Sequence, residues 1–181
     1  MRFYFISLAL LTLTMNGVAF SADWSEQPLS KIKQAAQKGE PEAQRTLGWM
    51  YSNGFEVPQS DEKAIFWYEK SAEQGNAKAQ FFLGVRLASR GDNSQAYSWY
   101  TKAANQGDAD AQFALGVMYQ DGRGVPQDYI KSYAWLSVSA ANGDKNAARF
   151  RDYSADKLSK QALIDAQALA EKYFEQQIKK Q

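Results

Sequence analysis

Neither cysteine nor histidine occurs among the 181 residues. Their absence excludes disulfides, thiolate nucleophiles, imidazole bases and the common zinc ligand sets. It also excludes acylation of an amino-terminal cysteine, and so a lipoprotein anchor. What remains open is carboxylate, lysine or hydroxyl chemistry and metals that take oxygen ligands. An excess of one charge is missing as well: 21 basic residues face 20 acidic ones, for a formal net charge of +1. That balance supplies no global attraction to nucleic acid or anionic lipid. With 45% hydrophobic and 23% charged residues, the chain has the composition of one globular domain.

The amino terminus reads as an export signal. Arg2 supplies positive charge, and Phe3 to Met15 forms an apolar run of thirteen residues, too short to span a bilayer comfortably. Ala19-Phe20-Ser21 places small residues at both specificity positions for cleavage after Ser21. Residues 1–21 are therefore expected to be a signal peptide, with a mature chain beginning at Ala22 and a periplasmic or secreted location. An uncleaved anchor is the competing reading.

Internal repetition decides the expected architecture. Ala43-Gln44-Arg45-Thr46-Leu47-Gly48 returns as Ala79-Gln80-Phe81-Phe82-Leu83-Gly84 and as Ala111-Gln112-Phe113-Ala114-Leu115-Gly116, at spacings of 36 and 32 residues. Trp67, Trp99 and Trp135 each precede a glycine, Gly75, Gly107 or Gly143, by eight residues. Leucine and tryptophan are 20 residues apart in the first and third units but 16 in the second. Matching signatures across a shortened connection indicate two helices joined by a variable turn. In the first helix, Ala43, Leu47 and Tyr51 and their counterparts form an apolar stripe at helical spacing, with Leu87 in the tyrosine's place in the second unit. Gly48, Gly84 and Gly116 suggest close approach by a neighbouring helix. In the second helix the three tryptophans are expected to interlock with small residues such as Ser71 and Ala72. Gly75, Gly107 and Gly143 are expected to end that helix in left-handed caps.

These residues resemble the Sel-1-like repeats, short relatives of the tetratricopeptide repeat. Ala111, Leu115, Gly116, Tyr119, Gly122, Gly124, Val125, Asp128, Lys131, Trp135, Ala140 and Gly143 match the family pattern. The first unit departs from it at Glu56 and Ser60, and the second lacks that loop. The resemblance implies an all-α fold, an α/α solenoid of helix-turn-helix repeats occupying residues 22–181. Within it we expect an amino-terminal cap helix over 25–42, repeats at 43–78, 79–110 and 111–146, and capping helices over 147–181. The tail carries Arg149-Phe150-Arg151 where the leucine-glycine signature should fall. It then offers Leu163, Ala166, Ala170, Tyr173 and Phe174 as one apolar face. A cap over the last repeat is the simpler reading of that face, and a membrane or partner segment the other.

Catalytic patterns dissolve on inspection. Ser60 to Lys63 and Ser154 to Lys157 satisfy S-x-x-K, but no S-D-N or K-T-G triplet accompanies them. Gly122 and Gly124 begin a G-x-G that lacks its third glycine. Asp108 and Asp110 imitate two calcium-loop positions, yet Phe113 stands where glycine is required. Glu40 with Glu42, and Asp61 with Glu62, sit beside expected helix starts, where solvation opposes a paired acid and base. A cysteine-rich branch of the resembled family is associated with binding or hydrolysing β-lactams, and this chain has none of those cysteines. No cofactor and no metal site are expected.

The resemblance further implies a concave face lined by first helices. Positions outside the packing stripe are the binding candidates: Arg45, Trp49 and Asn53, then Phe81, Val85 and Ser89, then Phe113, Val117 and Gln120. Phe81 and Phe113 can equally bury themselves against the adjacent repeat. Arg45 with Trp49 is favoured because those types dominate binding hot spots. The expected function is a non-enzymatic scaffold that binds a peptide segment or protein partner. A cell-envelope glycan (peptidoglycan) module is the alternative, and a hydrolase of the β-lactamase type fits less well.

Overall fold

A computed structural model describes residues 24–179. The expected signal segment 1–21 and its cleavage site before Ala22 lie outside the described residues. Among those described, the chain is helical throughout. A 3-10 turn at Trp24–Glu26 leads into α1 (Leu29–Gln37), α2 (Pro41–Asn53), α3 (Asp61–Glu73), α4 (Ala77–Ser89) and α5 (Asn93–Ala104). Then follow α6 (Ala109–Asp121), α7 (Tyr129–Ala141), α8 (Ala147–Ala155) and α9 (Lys160–Ile178). Helices α2 and α3, α4 and α5, and α6 and α7 pack as antiparallel neighbours, and each pair stacks on the next. The amino-terminal cap helix is shorter than the expected 25–42, because Gly39 takes a left-handed φ of 100° and Pro41 opens α2.

Local chemistry places these boundaries. Ser60, Asn76, Asp108, Asp128 and Ser159 each accept a hydrogen bond from a backbone N–H of the following helical turn. Seven residues, 54–60 and 122–128, connect the helices of the first and third repeats, whereas three, 90–92, suffice in the second. The four-residue deletion thus falls wholly within the turn and leaves both helices of that repeat intact.

Packing within each repeat corrects one expectation. The interlocking side chain belongs to the residue after the tryptophan. A Cβ at Gly48 would meet Tyr68 at 2.7 Å, one at Gly84 would meet Tyr100 at 2.6 Å, and one at Gly116 would meet Leu136 at 2.5 Å. One helical step of about 100° turns position 68 toward α2 and carries Trp67 to the side. Trp67 and Trp99 are accordingly half-buried, with Lys102 Nζ 3.6 Å from the centre of the Trp99 ring. Trp135 is buried, and Tyr173 of α9 stacks on it at 4.4 Å between ring centroids.

A second device links successive repeats. The buried amides of Gln44, Gln80 and Gln112 donate to the carbonyls of Ala36, Ala72 and Ala104, each on the preceding second helix, at 3.0, 3.0 and 3.1 Å. Their own oxygens accept from Gln74, Gln106 and Asn142. An amide buried without such partners costs about 1–3 kcal/mol, so the ladder fixes the stacking register. Ser71 and Ser139 add bonds to the carbonyls of Pro41 and Ala109, the first residues of α2 and α6.

The tail packs differently from a repeat. Both α8 and α9 lie against α7. Of the expected apolar face of α9, Ala166 is buried and Leu163, Ala170 and Tyr173 are half-buried, whereas Phe174 is exposed. The position buried in its place is polar: Gln177 accepts from Asn142 and donates to the Ala104 carbonyl at 3.2 Å, joining the amide ladder.

Candidate functional site

Because α4 and α6 are both first helices, their equivalent positions line up across the repeat junction. Phe81 and Val85, one helical turn apart on α4, face Phe113 and Val117 on α6 across a groove of about 300 Å³. Tyr100 and Asn93 of α5 line the same groove, with Asp110 and Arg123 bringing charge to it. Four of the nine sequence candidates therefore come together in one place.

The other five do not join them. Arg45 is tied to Glu42 at 2.8 Å. The Trp49 ring lies 5.7 Å from that of Phe55 and lines a separate recess with Pro28 and Ile32 against α1. Asn53 and Ser89 donate to the carbonyls of Trp49 and Arg86 at the ends of their own helices. Gln120 turns toward α8, its oxygen accepting from Ser154 at 3.3 Å. Phe81 packs within its own repeat and Phe113 reaches the following helix α8. Each lines the groove, while Phe81 also packs on Phe82 and Tyr100, and Phe113 meets Phe150 edge-on at 5.0 Å.

The groove lining carries charge of both signs. Asp110 and Asp108 share Lys78, at 2.7 and 3.0 Å. Burial pulls the Lys78 ammonium down, but the two acids outweigh it and hold its pKa above the usual lysine range. Near Arg123, burial pushes the Tyr100 hydroxyl up to about 12, against the opposing pull of Arg123 and Arg86. Tyr100 was missed in the sequence because it reads as a packing residue, and Arg123 because it sits in a loop.

The residues of the discarded catalytic patterns have structural employment. Ser60 caps α3 by accepting from Lys63 N–H, and Ser154 is buried with its hydroxyl 2.8 Å from that of Ser132. Asp108 caps α6, and Asp61 pairs with Arg90 at 2.8 Å.

A solenoid of paired helices with a groove between its first helices is the architecture of a repeat-built interaction module. The Sel1 repeat family model matches residues 41–76, 77–108 and 109–144, and the chain belongs to that family. Those bounds begin two residues before the expected repeats, with the helices rather than with the Ala-Gln signature. The chain is similar to a Sel1 repeat protein from Oxalobacter formigenes of known crystal structure, 36% identical with a TM-score of 0.61, over 68% of this chain and 96% of that one. A protective antigen of uropathogenic Escherichia coli, c5321, which displays an SLR fold, is 30% identical over 81% of this chain and 40% of its own, with a TM-score of 0.49. Over 63 residues the chain is 37% identical to chitin synthase regulatory factor 4 of Schizosaccharomyces pombe, matching 34% of this chain and 10% of that protein. The matched segment thus spans about a tenth of the yeast protein's length. Sel1 repeat proteins generally mediate protein–protein interaction.

Proposed function

We propose that this protein is an exported, non-catalytic adaptor that holds an extended peptide segment of a protein partner in the groove between α4 and α6. The supporting observation is the quartet of Phe81, Val85, Phe113 and Val117 on two successive first helices, in a groove whose lining carries one acid, Asp110, and one base, Arg123. Spaced apolar walls with few charges suit alternate side chains of an extended chain. Aromatic rings beside an acid and an amide, here Phe81, Phe113 and Tyr100 with Asp110 and Asn93, are also what a sugar platform needs, so a cell-envelope glycan is the second reading of the same groove. Export rests on Arg2, the apolar run and the Ala19-x-Ser21 site.

A panel of fluorescently labelled six-residue peptides tests the groove by anisotropy titration. Changing Val85 and Val117 together to glutamate is expected to weaken binding by about 2 kcal/mol or more, with the helical signal unchanged. Binding that survives this change moves the site elsewhere, and binding of muropeptides in place of peptides establishes the glycan reading. Amino-terminal sequencing of protein from an envelope fraction is expected to begin at Ala22, and recovery of intact Met1 from cytoplasm defeats export.

A further inference from the structure

We infer that the recess between α1 and α2 is a second binding site, and that it receives a basic side chain, lysine or arginine, presented by a segment of a protein partner. Two rings, Trp49 and Phe55, and two acids, Glu26 and Glu56, make the site. It lies apart from the groove and does not rest on the groove reading.

The recess, of about 360 Å³, is the groove's counterpart at an earlier repeat junction. The two repeat spacings together carry Ile32 onto Tyr100, Trp49 onto Val117 and Phe55 onto Arg123, and all three counterparts line the groove. The chemistry at the matched positions differs. Where the groove has its base, Arg123, the recess has a ring, Phe55. Among the described residues the recess lining holds the two acids and no base.

Local structure brings both acids there. In the third repeat, Gly124 lies so close to Asn93, the first residue of α5, that a Cβ would stand 2.8 Å from the Asn93 carbonyl carbon. In the first unit α1 begins one turn later than α5 does, at Leu29, and the 3-10 turn Trp24–Glu26 brings Glu26 to the opening. The counterpart of Gly124 is Glu56, which takes a left-handed φ of 55°. Glycine would suit that backbone better, and what glutamate adds is a carboxylate in the lining of the recess.

Burial separates floor from rim. Ile32 and Met50 are buried, whereas Trp49, Phe55, Glu26 and Glu56 are exposed. A lysine or arginine fits this gradient, with its methylene stem on the apolar floor and its charged head at the wet rim. Aromatic faces attract that head, and carboxylates pair with it. Within the chain itself, Lys102 already lies 3.6 Å from the centre of the Trp99 ring. Glu42, Asp61 and Asp110 pair with Arg45, Arg90 and Lys78, but neither Glu26 nor Glu56 has an ion-pair partner among the described residues. A partner's acid would be repelled by both carboxylates.

The test uses carboxyl-amidated six-residue peptides, labelled at the amino terminus, each with one lysine or arginine and no other charge. Their twins carry norleucine in its place, which keeps an apolar stem and drops the charge. In anisotropy titrations at low salt, the best basic peptide is expected to bind about tenfold or more tightly than its twin. Changing Glu26 and Glu56 together to glutamine should erase that preference, and Trp49→Ala should weaken the basic peptide. Glu56→Gly copies the third repeat and relieves the left-handed backbone, so the chain stays folded while the preference falls. A preference that survives the double change to glutamine overturns the inference, as does equal binding of basic and norleucine peptides or failure of the basic peptides to bind. A preference abolished by Asp110→Asn moves basic recognition to the groove and overturns it as well, while the groove reading is judged separately by the Val85 and Val117 changes.

Discussion

Tyr68 lies flat against the backbone of Gly48, its ring carbon only 2.7 Å from where a β-carbon would sit. On an exposed helix, alanine in place of glycine gains about 1 kcal/mol. At this position the methyl group must displace a ring that is 1% exposed and also stacked on Phe82 at 5.5 Å. Overpacking of this kind costs typically about 1–3 kcal/mol. Gly48→Ala is therefore expected to lower the free energy of urea unfolding despite its better helix propensity. A stabilised Gly48→Ala protein would show that the two helices approach less closely than described.

The same tyrosine makes stability sensitive to alkali. Burial pushes the Tyr68 hydroxyl up to about 12, with Ser52 and two arginines opposing the shift. In the unfolded chain a tyrosine loses its proton near pH 10. Between these values the unfolded state binds fewer protons than the folded state, so stability falls as pH rises, by up to about 1.4 kcal/mol per unit from this group. The contribution is fully present below pH 10 and is lost as pH climbs toward 12. Tyr68→Phe should flatten that part of the pH–stability curve, as measured by denaturant titrations at stepped pH. An unchanged slope would mean that the phenol is well solvated.

The amide ladder predicts a polar core dependence unusual for a helical repeat. Gln80 is 4% exposed and bridges Ala72 of one repeat to Gln106 of its own. Gln80→Leu keeps the approximate volume but removes both bonds, with an expected loss of about 1–3 kcal/mol. Gln80→Glu should be worse, because a buried carboxylate would face the Ala72 carbonyl. Chemical denaturation of the three proteins measures the order. A leucine variant as stable as the parent would reduce the ladder to a geometric coincidence.

Helix pairing was legible in the chain because alanine, leucine and glycine recur at helical spacing on either side of a variable turn. Which of two adjacent aromatics faces inward was not. Trp67-Tyr68 and Trp99-Tyr100 differ by one helical step, and residue type alone favours the larger ring, whereas the glycine opposite accommodates the tyrosine. The glutamine of each Ala-Gln signature was visible too, but its partners lie 8 and about 30 residues away and only stacking brings them together. For the groove, Phe81, Val85, Phe113 and Val117 were readable as off-stripe positions on repeated helices. Asn93, Tyr100 and Arg123 reach it from another helix and a loop, and no linear spacing announces that convergence.

Trp49 separates residue identity from position. Tryptophan and arginine lead binding hot spots by type, which is why Arg45 and Trp49 stand out in the chain. In the fold Trp49 is 41% exposed, lies beside Phe55 and faces the recess next to α1, while Arg45 is held by Glu42. Neither lines the groove between α4 and α6. Replacing both with alanine is thus expected to leave affinity for groove peptides within about twofold of the parent, a change of about 0.4 kcal/mol. Truncating a partly exposed ring outside the main core should cost no more than about 1 kcal/mol of stability, since surface changes usually cost little. Anisotropy titration with the best peptide and a parallel unfolding curve give both numbers. If the double variant loses peptide binding while staying folded, the partner extends across the first repeat, and the quartet of Phe81, Val85, Phe113 and Val117 is only part of its footprint.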